Sequence, residues 1–175
     1  QSVMAAEVGH QEMAMEYFLD ALYCDLADTH HNASDGVHVA STGGVWGCLV
    51  HGFVGMRNDR ENLRFDPRLP AQWTSIKHHM LIGDSHMLVK LERDAITFQI
   101  LSGHDREVTV RGELHHIGVE PVRIPLGDQG PLRPSLRGTH PISGLRRADG
   151  SLITAEVPGS IAETIVSSPI LPSRD

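Results

Sequence analysis

Two helical patterns of hydrophobic residues mark the first third of the chain. Residues 10–27 carry apolar side chains along one helical face, and residues 42–54 are apolar on nearly every side. We predict a short helix over residues 1–8, a second over 10–27 and, after a polar loop at 28–41, a buried third helix over 42–54. A helix that is apolar all round needs cover on every side. Two other helices are too few for this, which indicates a larger helical assembly.

The pattern then changes to an alternation of period two. Short apolar runs alternate with polar residues over residues 64–126, which is typical of an antiparallel sheet or small sandwich. The turn residues that separate the runs lie at 83–84, 93–94 and 103–105. From residue 127 onward Pro, Gly, Ser and Arg dominate. We therefore expect an extended tail, with one possible extra strand at 152–157.

Together these patterns predict an α+β chain with three sections. Residues 1–62 are expected to be helical, residues 63–126 to form the antiparallel β domain, and residues 127–175 to form the tail. The chain starts inside a helical pattern and without Met. We interpret it as a fragment of a longer polypeptide.

Composition narrows the classes of protein that this chain can belong to. With 15 basic and 22 acidic residues the formal charge is −7, and without a basic stripe we expect no nucleic-acid partner. No apolar stretch approaches the roughly 20 residues of a membrane span, so no membrane partner is expected. Cys24 and Cys48 lie among apolar residues outside any CxxC motif, which favours reduced, buried thiols. Together with the lack of a signal-peptide pattern, this predicts a cytoplasmic protein.

The polar loop before the third predicted helix carries the candidate chemistry. Residues 41–44 are Ser-Thr-Gly-Gly and lead directly into that helix, whose first amides lack intrahelical partners and whose start is electropositive. Glycines let backbone donors approach an anion closely, and His38 can add a further hydrogen bond. This arrangement suits phosphate. The alternative of a purely structural role, in which a Ser or Thr only caps the helix, stays open.

Four sequence blocks occur in an order and spacing that is specific as a set. They are residues 7–9, 28–46, 52–57 and 63–70. Over about residues 1–115 they resemble the last part of glycoside hydrolase family 65. The resemblance implies an N-terminal β-sandwich, an (α/α)6 catalytic barrel and a C-terminal β-sheet domain. It makes residues 1–62 the closing helices of the barrel, and it makes the remainder of the same enzyme the main partner of this chain.

The resemblance also implies an activity and a set of site residues. Family members are mostly inverting phosphorylases of maltose, trehalose, kojibiose or nigerose, and a homodimer is expected. Their phosphate site has a histidine and a serine-rich turn at the position of this loop. The residues that this carries over are His38, Ser41, Thr42, Gly43 and Gly44. The general acid is a glutamate far upstream, so no catalytic residue is expected in this chain, which alone would be inactive. No cofactor is implied, because inorganic phosphate is itself a substrate and the nucleophile.

Several alternatives remain for individual residues and for the function. Asp35 could bind sugar hydroxyls or serve as a base, although a turn role beside Gly36 is favoured. His30, His31 and His38 lack the spacing of a zinc motif, so no metal site is predicted. Trp46 is expected in the barrel core, with sugar stacking as the other possibility. An α-glucoside or trehalose hydrolase and a non-catalytic carbohydrate-binding or interaction module are the rival functions; an aromatic content of 5% disfavours the module.

Overall fold

A computed structural model describes residues 1–27, 34, 36–59, 62–133 and 150 of the chain. Within these residues, three α-helices and one π-helical turn precede eight strands. The helical elements are α1 (Ser2–Val8), α2 (Gln11–Leu26), α3 (Val39–Gly47) and the π turn (Cys48–Phe53). The strands are β1 (Met56–Asp59), β2 (Asn62–Phe65), β3 (Ser75–Ile82), β4 (Ser85–Glu92), β5 (Ala95–Ser102), β6 (Arg106–Val110), β7 (Glu113–Ile117) and β8 (Val122–Pro125). This order confirms the α+β class.

The first two helices lie where the hydrophobic pattern predicts them. Gly9 ends α1 in a left-handed conformation with φ 94°, and its amide donates back to the carbonyl of Ala6. This is the glycine stop expected after a short helix. In α2, Ala14, Met15 and Phe18 are buried, which confirms a helix with one apolar face.

The third helix differs from the prediction in its start and in its form. It begins at Val39 rather than at residue 42, because the carbonyl of His38 already accepts the amides of Ser41 and Thr42. After Gly47 the helix widens into the π turn, where the amide of Val54 reaches the carbonyl of Leu49 five residues back.

Within the described residues, only the second half of this third helical segment is buried. No residue of α3 is buried within the part of the chain that the structure describes, and Val39 is 76% exposed. Burial starts at Cys48 and includes Phe53, because the π turn packs against α1 and the first strand. The expected burial of residues 42–54 lies in a larger helical assembly, so for α3, whose main described neighbours are α2 and the π turn, it stays a prediction.

The strands form two four-stranded sheets, in agreement with the alternating pattern. The first sheet has the order β1-β2-β6-β7 and the second has the order β3-β4-β5-β8. Every neighbouring pair is antiparallel except β2 and β6, which run parallel with Leu63 opposite Val108. The rings of Phe65 and Phe98, one from each sheet, meet edge to face at 4.8 Å. The described sheets therefore pack as a sandwich around a shared apolar core.

Three aromatic rings join the helices to the sandwich. Phe18 of α2, Phe53 of the π turn and Trp73, which precedes β3, have ring centroids 5.3 to 5.7 Å apart in edge-to-face contacts. Backbone hydrogen bonds reinforce the junction, since the amide of Arg68 donates to the carbonyl of Phe53 at 2.8 Å. Helices and strands thus share one hydrophobic core.

The segment that follows β8 returns to the helices. Gln129 is buried, accepts the amide of Leu69 at 2.8 Å and donates to the carbonyl of Glu92 at 2.8 Å. The amide of Arg133 then donates to the carbonyl of Gly9 at 2.9 Å. The possible strand at 152–157 lies outside the described residues, and the division of the chain at residues 62 and 126 stays a prediction.

The state of the cysteines and the length of the helices can also be compared with the sequence analysis. Both cysteines are free; Cys48 is buried, while Cys24 is half-buried. Among the described residues, no helix has the length and apolar character that crossing a membrane requires.

We predict that the fold loses stability as the pH falls through the range around 6.5. His78 follows the inward alternation of Ile76 and Met80 on β3, and both ring nitrogens are buried without a described hydrogen-bond partner. Burial, and next the nearby His79, lower the pKa of His78 below its ordinary value of 6.5. Below pH 6.5 the unfolded chain binds a proton at His78 that the folded chain does not bind. The contribution of His78 to the free energy of unfolding is therefore complete above pH 6.5 and declines as the pH falls below this value. Urea unfolding at pH 7.5 and 5.5 measures this difference.

The control for this prediction is a pair of variants. His78→Leu should reduce the difference between the two pH values, whereas Lys77→Gln, at an exposed position of the same strand, should leave it unchanged. An equal pH dependence in His78→Leu and in the parent chain would contradict the role of His78.

We also predict that Gly9→Ala destabilises the fold more than Gly112→Ala does. A Cβ on Gly9 would lie 2.5 Å from the Cβ of Leu132, in addition to the strain of a positive φ. Gly112 has a similar φ of 92°, but a Cβ there meets no described atom within 4 Å. We expect a loss of about 2–4 kcal/mol for Gly9→Ala and about 1–2 kcal/mol for Gly112→Ala in urea unfolding.

A second substitution separates the clash from the strain. Leu132→Gly removes the opposing Cβ and should restore part of the stability lost in Gly9→Ala. Equal losses at Gly9 and Gly112, or no rescue, would show that the contact between Gly9 and Leu132 has no role.

Candidate functional site

The five residues nominated for phosphate binding lie together at the start of α3. His38 directly precedes the helix, with φ −77° and ψ 82°, and is half-buried. Ser41, Thr42, Gly43 and Gly44 occupy the first two turns of the helix. The structure therefore brings the imidazole, two hydroxyls and two glycines to one end of a single helix.

The backbone donors of this segment are not arranged as the sequence suggested. The amides of Ser41 and Thr42 both donate to the carbonyl of His38, at 2.9 and 3.1 Å. Those of Gly43 and Gly44 lie inside the helix, where amides bond to carbonyls four residues earlier. The expectation of open amides is thus wrong at Ser41 and Thr42. The physical reason is that the helix begins three residues earlier than predicted.

The two hydroxyls at the start of the helix have different roles. The hydroxyl of Ser41 donates to the carbonyl of Ala21 at 2.8 Å and so ties α3 to α2. Because its one proton is used, this hydroxyl cannot donate to an anion in the same arrangement. The hydroxyl of Thr42 has only a long contact of 3.4 Å to the carbonyl of His38, and its side chain is exposed. It can therefore rotate to donate to a ligand.

The glycines leave an open surface beside these donors. Gly43 and Gly44 are exposed, and a Cβ on either would meet no described atom within 4 Å. Nearby, Trp46 is 51% exposed and makes an edge-to-face contact with the ring of His51, with centroids 6.0 Å apart. The described part of the chain does not bury Trp46, so its expected place in a barrel core stays a prediction.

Three other candidate residues from the sequence analysis are not described by the structure. Asp35, His30 and His31 lie outside the described residues, and their roles stay predictions. Within the described ranges, no group of three or more His, Cys, Asp or Glu side chains is arranged to hold a metal ion.

The sequence analysis missed a cavity at the junction of the helices and the first sheet. It has a volume of about 570 Å³ and is lined by residues of α1, the π turn, β1, β2 and β6. None of the five nominated residues lines it. Its basic side chains come from positions as far apart as Arg57 and Arg111, so no local sequence motif predicts the cavity. The available signal in the sequence is the high density of arginine between residues 57 and 68.

Comparison with known proteins gives consistent matches along the chain. Residues 1–47 match the model of the glycosyl hydrolase family 65 central catalytic domain, and residues 56–117 match the model of the family 65 C-terminal domain. An uncharacterized glycosyl hydrolase of Mycobacterium leprae is 35% identical over 161 residues, which is 89% of this chain and 20% of that protein. An α,α-trehalose phosphorylase of Geobacillus stearothermophilus is 33% identical over 124 residues, which is 70% of this chain and 16% of the relative.

Comparison with solved structures supports the same fold. A protein provisionally assigned as a kojibiose phosphorylase, from the human microbiome, superposes with a TM-score of 0.66 at 22% identity. The match covers 71% of this chain and 16% of that structure. This chain spans about a fifth or less of the length of the relatives that it matches. It belongs to glycosyl hydrolase family 65, with matches to part of the central catalytic domain and to the C-terminal domain.

Proposed function

We propose that this chain is part of an inverting disaccharide phosphorylase, which cleaves an α-glucosidic bond with inorganic phosphate and releases β-glucose 1-phosphate. The observation that carries the proposal is the shared reaction among relatives of different specificity. Relatives named as trehalose, maltose and kojibiose phosphorylases align with 64 to 70% of this chain. These names differ in the disaccharide, but all three describe a phosphorylase.

In this proposal the activity belongs to the longer enzyme. The chain spans 15 or 16% of the length of these three phosphorylases, and the general acid is expected in the remainder. The helices would close an (α/α)6 barrel. Their exposed apolar side chains support this, because a surface with Val39 76% and Leu26 77% exposed is suited to cover by neighbouring helices. A homodimer and a cytoplasmic location remain predictions.

The start of α3 would hold the phosphate. The His38 ring and the Thr42 hydroxyl would donate hydrogen bonds, and the positive end of the helix would add electrostatic attraction. Gly43 and Gly44 would leave room for the oxyanion against the helix. Ser41 would fix this end of α3 on α2 through its bond to the carbonyl of Ala21.

The chemical logic is the positioning of a nucleophile. A hydrolase needs a carboxylate base to activate water, whereas phosphate is already an anionic nucleophile. Holding it in line with the anomeric carbon turns a two-body encounter into a prearranged attack.

The proposed reaction predicts a strict dependence on phosphate. In the natural-length polypeptide that contains this chain, cleavage of the preferred α-linked disaccharide should require inorganic phosphate. Phosphorus NMR should show the β anomer of glucose 1-phosphate as the first product, because inversion of an α bond gives a β product. Cleavage that proceeds without phosphate would identify a hydrolase instead, and sugar binding without cleavage would identify a binding module.

The proposed phosphate site predicts an asymmetric effect of His38→Ala. Loss of one hydrogen bond to a charged ligand should raise the KM for phosphate about 10- to 100-fold, with a much smaller change in the KM for the disaccharide. Steady-state kinetics with each substrate varied in turn measure both constants. The matched control is His116→Ala on β7, an exposed histidine that should leave both constants unchanged. Equal increases in the two KM values for His38→Ala would contradict the assignment.

A further inference from the structure

Two histidines meet on the outer face of the second sheet. His79 lies on β3 and His86 on β4, and the Nδ1 atom of His79 is 3.0 Å from the Nε2 atom of His86. The ring centroids are 5.0 Å apart, and the ring planes are inclined by 41°. One nitrogen of each imidazole therefore borders the same small volume at the protein surface.

The pairing of the two strands explains why these rings meet. His79 is directly opposite Leu88, and His86 is directly opposite Leu81. All four side chains alternate along their strands with residues that face the core, so they share the outer face. The histidines occupy one diagonal of this block, and diagonal neighbours on adjacent strands are within reach of long side chains. The register of the hairpin thus sets the spacing of the two imidazoles.

Neither of these rings is held by a carboxylate. Within the described ranges, His79 and His86 share a hydrogen bond and neither forms an ion pair. His116 differs, because its Nε2 atom lies 3.0 Å from a carboxylate oxygen of Asp105. A nearby carboxylate favours the protonated imidazolium, which has no lone pair for a metal ion. A hydrogen bond between two imidazoles requires instead that at least one of the rings is neutral.

The distance between the two nitrogens fits a bound transition-metal ion. Imidazole nitrogens bind such ions at about 2.0–2.1 Å, so two of them on one ion are about 2.8–3.0 Å apart at a right angle and about 3.3–3.4 Å apart at the tetrahedral angle. The separation of 3.0 Å between His79 and His86 corresponds to the right angle. Square-planar and tetragonal sites with this angle are typical of Cu²⁺ and Ni²⁺.

The charges nearby leave room for a cation. Lys77 lies two residues before His79 on the same face of β3, and its side chain is exposed to water, which weakens its repulsion of an ion. Lys90, directly opposite Lys77, forms an ion pair of 2.6 Å with Glu92. The positive charge of Lys90 is therefore offset within the sheet.

We propose that His79 and His86 chelate a divalent transition-metal ion, with Cu²⁺ and Ni²⁺ preferred over Zn²⁺. The Nδ1 atom of His79 and the Nε2 atom of His86 are the protein ligands, and water occupies the other positions. The neutral ring that donates the shared hydrogen bond takes its other tautomer, so binding requires no net release of a proton from two neutral rings. The site is separate from the proposed phosphorolysis, because both histidines lie outside the start of α3.

The test follows the acylation of individual histidines in the untagged natural-length polypeptide. Diethyl pyrocarbonate reacts with free imidazole nitrogens, and peptide mass spectrometry reports the rate at each histidine. Ni²⁺ should slow the modification of His79 and of His86 about tenfold or more, because the ion occupies the reactive nitrogens. His116, which is paired with Asp105, is the internal control and should react at an unchanged rate.

Reciprocal variants test whether the two rings act together. His86→Gln should abolish the protection of His79, and His79→Gln should abolish that of His86, because two linked ligands bind about 100-fold or more tightly than one. His116→Gln is the matched control and should preserve the protection. His38→Ala should also preserve it, so a failure of the proposed phosphorolysis does not affect this result. Equal protection of all three histidines, protection of none, or protection of His79 that persists in His86→Gln would overturn the proposal.

A series of ions tests the geometry of the site. Cu²⁺ and Ni²⁺ should protect both histidines at lower concentrations than Zn²⁺, which prefers a tetrahedral arrangement. Mg²⁺ should give no protection, because it binds oxygen ligands. Protection by Zn²⁺ at the lowest concentration would contradict the right-angled arrangement. Protection by Mg²⁺ would show a general effect of charge and so overturn chelation by the two imidazoles.

Discussion

The edge-to-face cluster of Phe18, Phe53 and Trp73 is the contact on which the arrangement of this chain depends. The three rings come from α2, the π turn and the link before β3, and their centroids lie 5.3 to 5.7 Å apart. Aromatic pairs of this geometry contribute about 0.5–1.5 kcal/mol each beyond the apolar area that they bury. Among the described residues, the cluster belongs to the same hydrophobic core as the sandwich, so the helices and the sheets share one core.

This dependence reaches the start of α3. The helix is attached at one end by the bond from Ser41 to Ala21 and at the other by the π turn, which packs on α1 and contains Phe53. π-bulges are one of the recognised causes of kinks in helices. Among the described elements, the sandwich therefore contacts α3 mainly through the π turn, which packs on β1. It contributes none of the nominated phosphate contacts.

The sequence predicted local structure well and long-range structure poorly. The alternation around Val89 and Phe98 identified strands because one buried face requires a period of two. The parallel pairing of β2 with β6 had no local signal, since it depends on which distant strand lies alongside. The start of α3 was misplaced because Ser41 and Thr42 have the composition of helix caps, while the acceptor that organises the first turn is a backbone carbonyl. The arginine-lined cavity was missed because it exists only after distant strands come together. The roles of the nominated residues stay predictions.

The contact between α1 and the segment after β8 has a consequence for biosynthesis. The carbonyl of Gly9 accepts a hydrogen bond from the amide of Arg133, which leaves the ribosome after the eight described strands. Contacts between positions so distant along a chain form late, and nascent domains complete their folding as units. The contact between α1 and the segment after β8 therefore forms only after the sheets have assembled. A truncated or stalled translation product would expose an incomplete helical layer and so be marked for removal by chaperones and proteases.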